Sequence, residues 1–317
     1  MVFVAQYTPQ ELAARLKEGL LSFPATAFNA DQAVDEDGVR EHVAWQSGYD
    51  VAGLFAAGGT GEGFSLTLEE HAQVVRASVE SSRAEVPVLG SAGGSTRQAI
   101  AQAQASEVAG AEGILLLPPY LTECDQQGLL EHASAIIGST RTAVIVYNRA
   151  NAVYSAETVA ELARRHENFI GFKDAIGDIE HLAKVYAGNG DRMFYLGGLP
   201  TAETYALPLL QLGMSTYSSA MFNFVPEFAL DFYRDVRNQD RDSVTEKLNR
   251  FVLPYLDIRD RGKGFGVSIV KAGIRAVGRS VGSVRPPLHD LSEQDHADLI
   301  ALIKEAGISP LSPAMMA

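Results

Sequence analysis

"NFIGFKDAIGD", residues 168–178, is an apolar run that ends in a lysine. A strand this hydrophobic belongs in a core, and a buried ammonium is costly unless it is paired or put to use. Alternation along an extended strand puts Phe169, Gly171 and Lys173 on one face, and Asn168, Ile170 and Phe172 on the other. Lys173 therefore shares its face with a glycine that leaves space one layer below. That arrangement reads as a site rather than a surface charge.

Working outward, further apolar runs occupy residues 20–28, 51–58, 86–93, 113–120, 143–148, 193–198 and 215–221, with 169–174 among them. Between them lie segments of helical spacing with start signals. Thr67 with Glu70 and Ser95 with Gln98 have capping-box spacing, and Ser155 precedes "AETVAELARRH". Thr8, Pro9 and Glu11 mark an opening helix. Strands alternating with helices predict an α/β fold, a (β/α)8 TIM barrel. Strands apolar on both faces suit a parallel sheet covered by helices. After residue 222 the pattern is helical only, which predicts a C-terminal helical appendage. No Gly/Ser/Pro-rich linker separates it, so residues 1–317 read as one domain, with the barrel over about 20–222 and the helices over about 223–317. A doubly wound open sheet is the alternative.

Composition narrows the function. The chain has 317 residues, 46% hydrophobic and 21% charged, as in an ordinary globular protein. No apolar run reaches the roughly 18 residues that span a bilayer, and the N-terminus lacks the pattern of a secretory signal. A single cysteine, Cys124, excludes an intramolecular disulfide framework and fits a reducing cytoplasm. A net charge of −13 repels nucleic acid and anionic membranes, so no nucleic-acid or membrane partner is expected. An acidic substrate would need local donors.

In a barrel, chemistry belongs to the C-terminal ends of the strands. Of the seven lysines, Lys173 alone ends a predicted barrel strand, and Tyr147 ends the strand before it. A lysine there is an anion-binding point charge, a desolvated nucleophile for a ketone, or a side chain snorkelling from a strand end. A neighbouring tyrosine can move protons for imine chemistry. At the end of strand two, "AAGGTGEGFSL" (56–66) offers consecutive glycines around Thr60. These form either a nest of N–H groups for a carboxylate or phosphate, or a tight turn. The loop is neither a P-loop nor a dinucleotide fingerprint. The seven histidines show no paired-ligand spacing, so no metal is expected. No nucleophile elbow surrounds Ser218 and Ser219, Cys124 reads as incidental, and Lys271 reads as the polar edge of an amphipathic helix.

With these residues in place, the chain resembles the dihydrodipicolinate synthase/N-acetylneuraminate lyase family of class I aldolase-type barrels, from about residue 23 through the C-terminal helices. "GGTGE" (58–62) is similar to the family's carboxylate-binding GTTGE or GSTGE, "YN" (147–148) to its YNxP, and "GFKDAIGD" (171–178) to its lysine element. Gly59 stands where synthases carry the first hydroxyl of a proton relay. In "YNRANAV", Arg149 is displaced and Ala152 lies near the expected arginine, which argues against a dihydrodipicolinate synthase. "FPATAFNADQ", "LLLPPYLTE", "GLPTAETYA" and "TYSSAMFNFVP" look instead like the family's decarboxylating sugar-acid dehydratases. The resemblance implies a lyase that takes a small sugar-acid substrate, with a lysine imine at Lys173 in place of any cofactor and Tyr147 as the second catalytic residue. It implies that Gly59 and Thr60 hold a carboxylate. Asn151, Arg149 and Ser218 are candidates for the distal carboxylate, and Gly198 for keeping space beside Lys173. Tyr120 falls where the family places a tyrosine that reaches a neighbouring subunit, and a homotetramer is the expected assembly. Another 2-keto acid aldolase of the family, or a non-catalytic sugar-acid sensor, are the alternatives.

Overall fold

A computed structural model describes residues 6–120 and 123–308 of the chain. Leu121 and Thr122 of the "LLLPPYLTE" stretch, and the extreme terminal residues of the expected single domain, lie outside the described residues. Eight strands close into a barrel in sequence order, every neighbouring pair parallel. They are β1 (Leu21–Ser22), β2 (Gly53–Phe55), β3 (Val88–Ala92), β4 (Gly113–Leu116), β5 (Ala143–Asn148), β6 (Phe169–Asp174), β7 (Phe194–Gly197) and β8 (Met214–Ser219).

Helix α1 (Pro9–Lys17) precedes the barrel. Helices α2 (Glu36–Ser47), α3 (Leu68–Ser81), α4 (Thr96–Val108), α5 (Gln126–Ile137), α6 (Ala156–Arg165), α7 (Ile179–Asn189) and α8 (Glu203–Leu210) join successive strands. The start signals operate as their chemistry requires. Thr8 and Thr67 close full capping boxes with Glu11 and Glu70, while Ser95 and Ser155 accept from the N–H groups of Gln98 and Thr158. Beyond β8 come α9 (Pro226–Arg237), α10 (Arg241–Lys247), α11 (Leu253–Arg259), α12 (Phe265–Ala276) and α13 (Glu293–Glu305). These share one apolar cluster with the barrel, in which Leu54 and Val88 join Phe232, Ile269 and Leu299. No helix among the described residues is long and apolar enough to cross a membrane.

Two departures from the sequence pattern matter for the site. The apolar run 20–28 yields only a two-residue strand, because Pro24 has no N–H to donate and the Ala25 N–H goes to the Asn223 side chain at 2.9 Å. Strict alternation along β6 also fails. The β5–β6 register slips between Val144 and Ile145, a β-bulge that places Phe169 with Phe172 outside the barrel and turns Ile170 inward. After the bulge, Gly171 and Lys173 face the interior, paired with Ile145 and Tyr147.

Candidate active site

Register alone brings two expected residues together: Tyr147 and Lys173 are direct partners across β5 and β6. Lys173 is only 5% exposed, and among the described residues no carboxylate pairs with it. Its ammonium position lies 3.8 Å from the centre of the Phe23 ring and 4.5 Å from that of Tyr147. Burial, with the Arg149 guanidinium nearby, holds its pKa well below the ordinary lysine value. Both effects favour the neutral amine, the form with a lone pair to offer.

Tyr147 donates its hydroxyl hydrogen to the Gly198 carbonyl at 2.9 Å, and Arg149 donates to the same hydroxyl at 3.3 Å. Burial raises the phenol's pKa, which favours its neutral, proton-bearing form. Gly198 does keep space here: a Cβ on it would lie 2.5 Å from Lys173 Cε and 3.0 Å from the tyrosine ring. Arg149 reaches back because residues 149–152 form a tight reversal. Its N–H and carbonyl both bond Ala152, with Ala150 in the left-handed region at φ 53°.

The glycine–threonine loop reaches the lysine through Phe23. A Cβ on Gly58 would strike the Phe23 ring at 2.6 Å, and that ring lies against Lys173. Gly63 N–H closes onto the Gly58 carbonyl at 2.9 Å. The N–H groups of Gly59 and Thr60, and the Thr60 hydroxyl, donate to no protein acceptor among the described residues. Two consecutive N–H groups left without a protein acceptor are available to an anion. A Cβ on Gly59 would meet nothing within 4 Å, so the missing relay hydroxyl leaves open space.

The other expected residues are placed differently. Ser218 pairs with Leu21 on β1 and is half-buried on the inward face of β8. Asn151 donates its amide to the Pro119 carbonyl at 2.6 Å and so braces the loop after β4. Tyr120, on that loop, is 91% exposed.

Several supporting residues have no role of their own in the sequence reading. Asn148 donates to Asp174 at 2.6 Å, and Asp174 also accepts from the N–H groups of Ile176 and Gly177, tying together the ends of β5 and β6. Asn223 accepts from Ala25 N–H and donates to the Phe23 carbonyl at 3.0 Å, fixing the aromatic floor. Its oxygen lies 3.0 Å from His42 Nε2 and 2.9 Å from Gln46 Nε2. Burial drives the His42 pKa down to about 4. Behind β8, Ser219 donates to the fully buried Glu203 at 2.5 Å. Lys271 corrects the sequence reading outright. It is no polar edge but a fully buried cation, paired with Glu62 at 2.7 Å.

A closed parallel barrel with an unpaired lysine at the end of its sixth strand places the chain in a class, and sequence comparison agrees. The chain belongs to the dihydrodipicolinate synthetase family, whose profile matches residues 16–306. It is 69% identical over 300 residues to a protein of Arthrobacter sp. (strain FB24) described as "Probable 5-dehydro-4-deoxyglucarate dehydratase", a match covering 95% of this chain and 99% of that one. A protein of Corynebacterium glutamicum with the same description is 67% identical over 304 residues, 96% of each chain. Among solved structures, dihydrodipicolinate synthase from Bacillus clausii superposes with a TM-score of 0.85 at 26% identity, covering 92% of this chain and 98% of that one.

Proposed function

We propose that this chain is a decarboxylating hydro-lyase that converts 5-dehydro-4-deoxy-D-glucarate to 2,5-dioxopentanoate, carbon dioxide and water through an imine on Lys173. The observation that carries the chemistry is a buried lysine with no carboxylate partner among the described residues, set against Tyr147 and Gly198. The described relatives carry the choice of substrate.

The neutral Lys173 amine attacks the C5 ketone and loses water to form an iminium, while the neighbouring C6 carboxylate sits on the Gly59 and Thr60 N–H groups and the Thr60 hydroxyl. The iminium acidifies C4. Tyr147 or the substrate's own carboxylate takes a C4 proton, giving an enamine. The enamine pushes out the C3 hydroxyl, which leaves as water on protonation, and the product is an iminium conjugated to a C3–C4 double bond. That system accepts the electron pair released when the C1–C2 bond breaks and carbon dioxide departs. The resulting dienol is protonated at C3 and C4, its C2 hydroxyl becoming the aldehyde. Water then hydrolyses the imine and frees Lys173. The covalent imine serves as the electron sink, so the scheme calls on no added cofactor.

Arg149, beside Tyr147, and Ser218, on the inward face of β8, are the groups we assign to the distal end of the substrate. Asn151 contributes by bracing the loop that carries Tyr120. The exposure of Tyr120 supports contact with a second subunit of a homotetramer. The single cysteine supports a cytoplasmic setting. Assaying the products tests the reading: carbon dioxide in equal amount to substrate consumed is expected, and release of pyruvate instead would assign the chain to a retro-aldol reaction.

A further inference from the structure

We propose that Glu62 and Lys271 are positioning residues, a buried ion pair through which the C-terminal helices set the shape of the 58–61 anion loop. The inference rests on the function proposed above, in which that loop holds the C6 carboxylate.

Both side chains are wholly buried, and their charged atoms are 2.7 Å apart. The hydrogen bonds that hold the pair in place come from the C-terminal segment. Lys271 on α12 donates to the Ser283 carbonyl at 2.9 Å, and the second Glu62 oxygen accepts the Arg285 N–H at 2.9 Å. The Lys271 ammonium also faces the Phe28 ring at 4.2 Å. Arg285 continues the clamp where the loop exits, bonding the Ser65 carbonyl and the Glu70 carboxylate. Burying two charges gains little stability over a well-packed apolar pair. What such a pair supplies is one geometry.

The loop needs that constraint. Ala57 and Glu62, at its two ends, occupy the left-handed region at φ 52° and 53°, which non-glycine residues hold only where the surroundings over-determine it. Gly63 has no room for a side chain, since its Cβ would lie 2.0 Å from the Ala57 carbonyl oxygen. With Glu62 drawn inward to Lys271 and its N–H bonded to the Gly59 carbonyl at 3.2 Å, the Gly59 and Thr60 N–H groups are left to face a ligand.

Two variants test the pair. Glu62→Asp keeps the charge, suits the left-handed backbone and withdraws the carboxylate by one methylene. The double variant Glu62→Gln/Lys271→Met keeps the volume and removes both charges. Pyruvate is the probe, read as the concentration that half-saturates borohydride trapping on Lys173, alongside hydrogen exchange of the amides of residues 58–63. The expected result is a ~10–100-fold rise in half-saturating pyruvate, as when outer partners of a bound group are removed. The trapping rate at saturation should stay within a few-fold of wild type, and loop exchange should be faster. Should the double variant fail to fold, Glu62→Asp decides. A folded variant with unchanged half-saturation and unchanged loop exchange would overturn the inference. Absence of any adduct in the wild type would instead overturn the imine, leaving loop exchange to decide the positioning role.

Discussion

Lys173 and Lys271 invite comparison because they begin alike. Each is buried, and each sets its ammonium against a phenylalanine from the segment after β1, Phe23 at 3.8 Å and Phe28 at 4.2 Å. Burial lowers both pKa values. They diverge in what else is near. Lys271 has the Glu62 carboxylate, which opposes the loss of its proton. Lys173 has the Arg149 guanidinium, which promotes it. Without a carboxylate the buried amine is pushed toward its neutral, nucleophilic form; with one it is drawn back toward its charged form. Under the proposed function, the partner rather than the burial separates the lysine assigned to the reaction from the one assigned to the loop.

The widest break in the comparison is Lys173→Met, which should lower kcat/KM by about 10⁴-fold or more. The same variant should be more stable than wild type at neutral pH. The unfolded lysine binds a proton below its ordinary pKa of 10.5, whereas the folded one does not until a much lower pH, so this residue destabilises the fold across that window. Thermal melts should show the gain at pH 7 and its disappearance above about pH 10.5. Lys271→Met should do the reverse, costing about 3–5 kcal/mol in denaturant titrations because it strands a buried carboxylate. Tyr147→Phe should reduce kcat by about 10²–10⁴-fold, the range for a lost proton-transfer group, with the fold intact. Gly198→Ala should cost about 10²-fold by pushing on Lys173 Cε, and should slow imine trapping in proportion.

The smallest effect concerns the floor beneath Lys173. His42 titrates at about 4 when folded and near 6.5 when unfolded, so the unfolded chain takes up the proton first as pH falls. Its contribution is intact above 6.5 and lost on the way down to about 4. The melting temperature should fall across that interval, and His42→Gln should make the slope shallower.

The barrel was legible because short apolar runs alternated with capped segments of helical spacing, a signal each element carries locally. Lys173, Tyr147 and the glycine–threonine loop were legible because strand ends are where a barrel puts chemistry. The faces of Phe169 and Ile170 were not, since a bulge depends on the partner strand's register. Nor was Lys271, whose helix is amphipathic but whose charge is answered by Glu62 on a distant loop. The contact between Asn223 and Phe23, 200 positions apart, is equally invisible in local pattern. What a sequence hides here is closure between its two ends, which supplies the floor under the lysine and the clamp on the loop.

The central claim is that the unpaired lysine, and not the paired one, carries the reaction. Incubating the protein with 5-dehydro-4-deoxyglucarate and borohydride at neutral pH, then mapping the modified peptide by mass spectrometry, tests it directly. The account predicts one reduced adduct, on Lys173, with Lys271 untouched. An adduct on another lysine, or none while substrate remains unconsumed in a parallel incubation without borohydride, would contradict it.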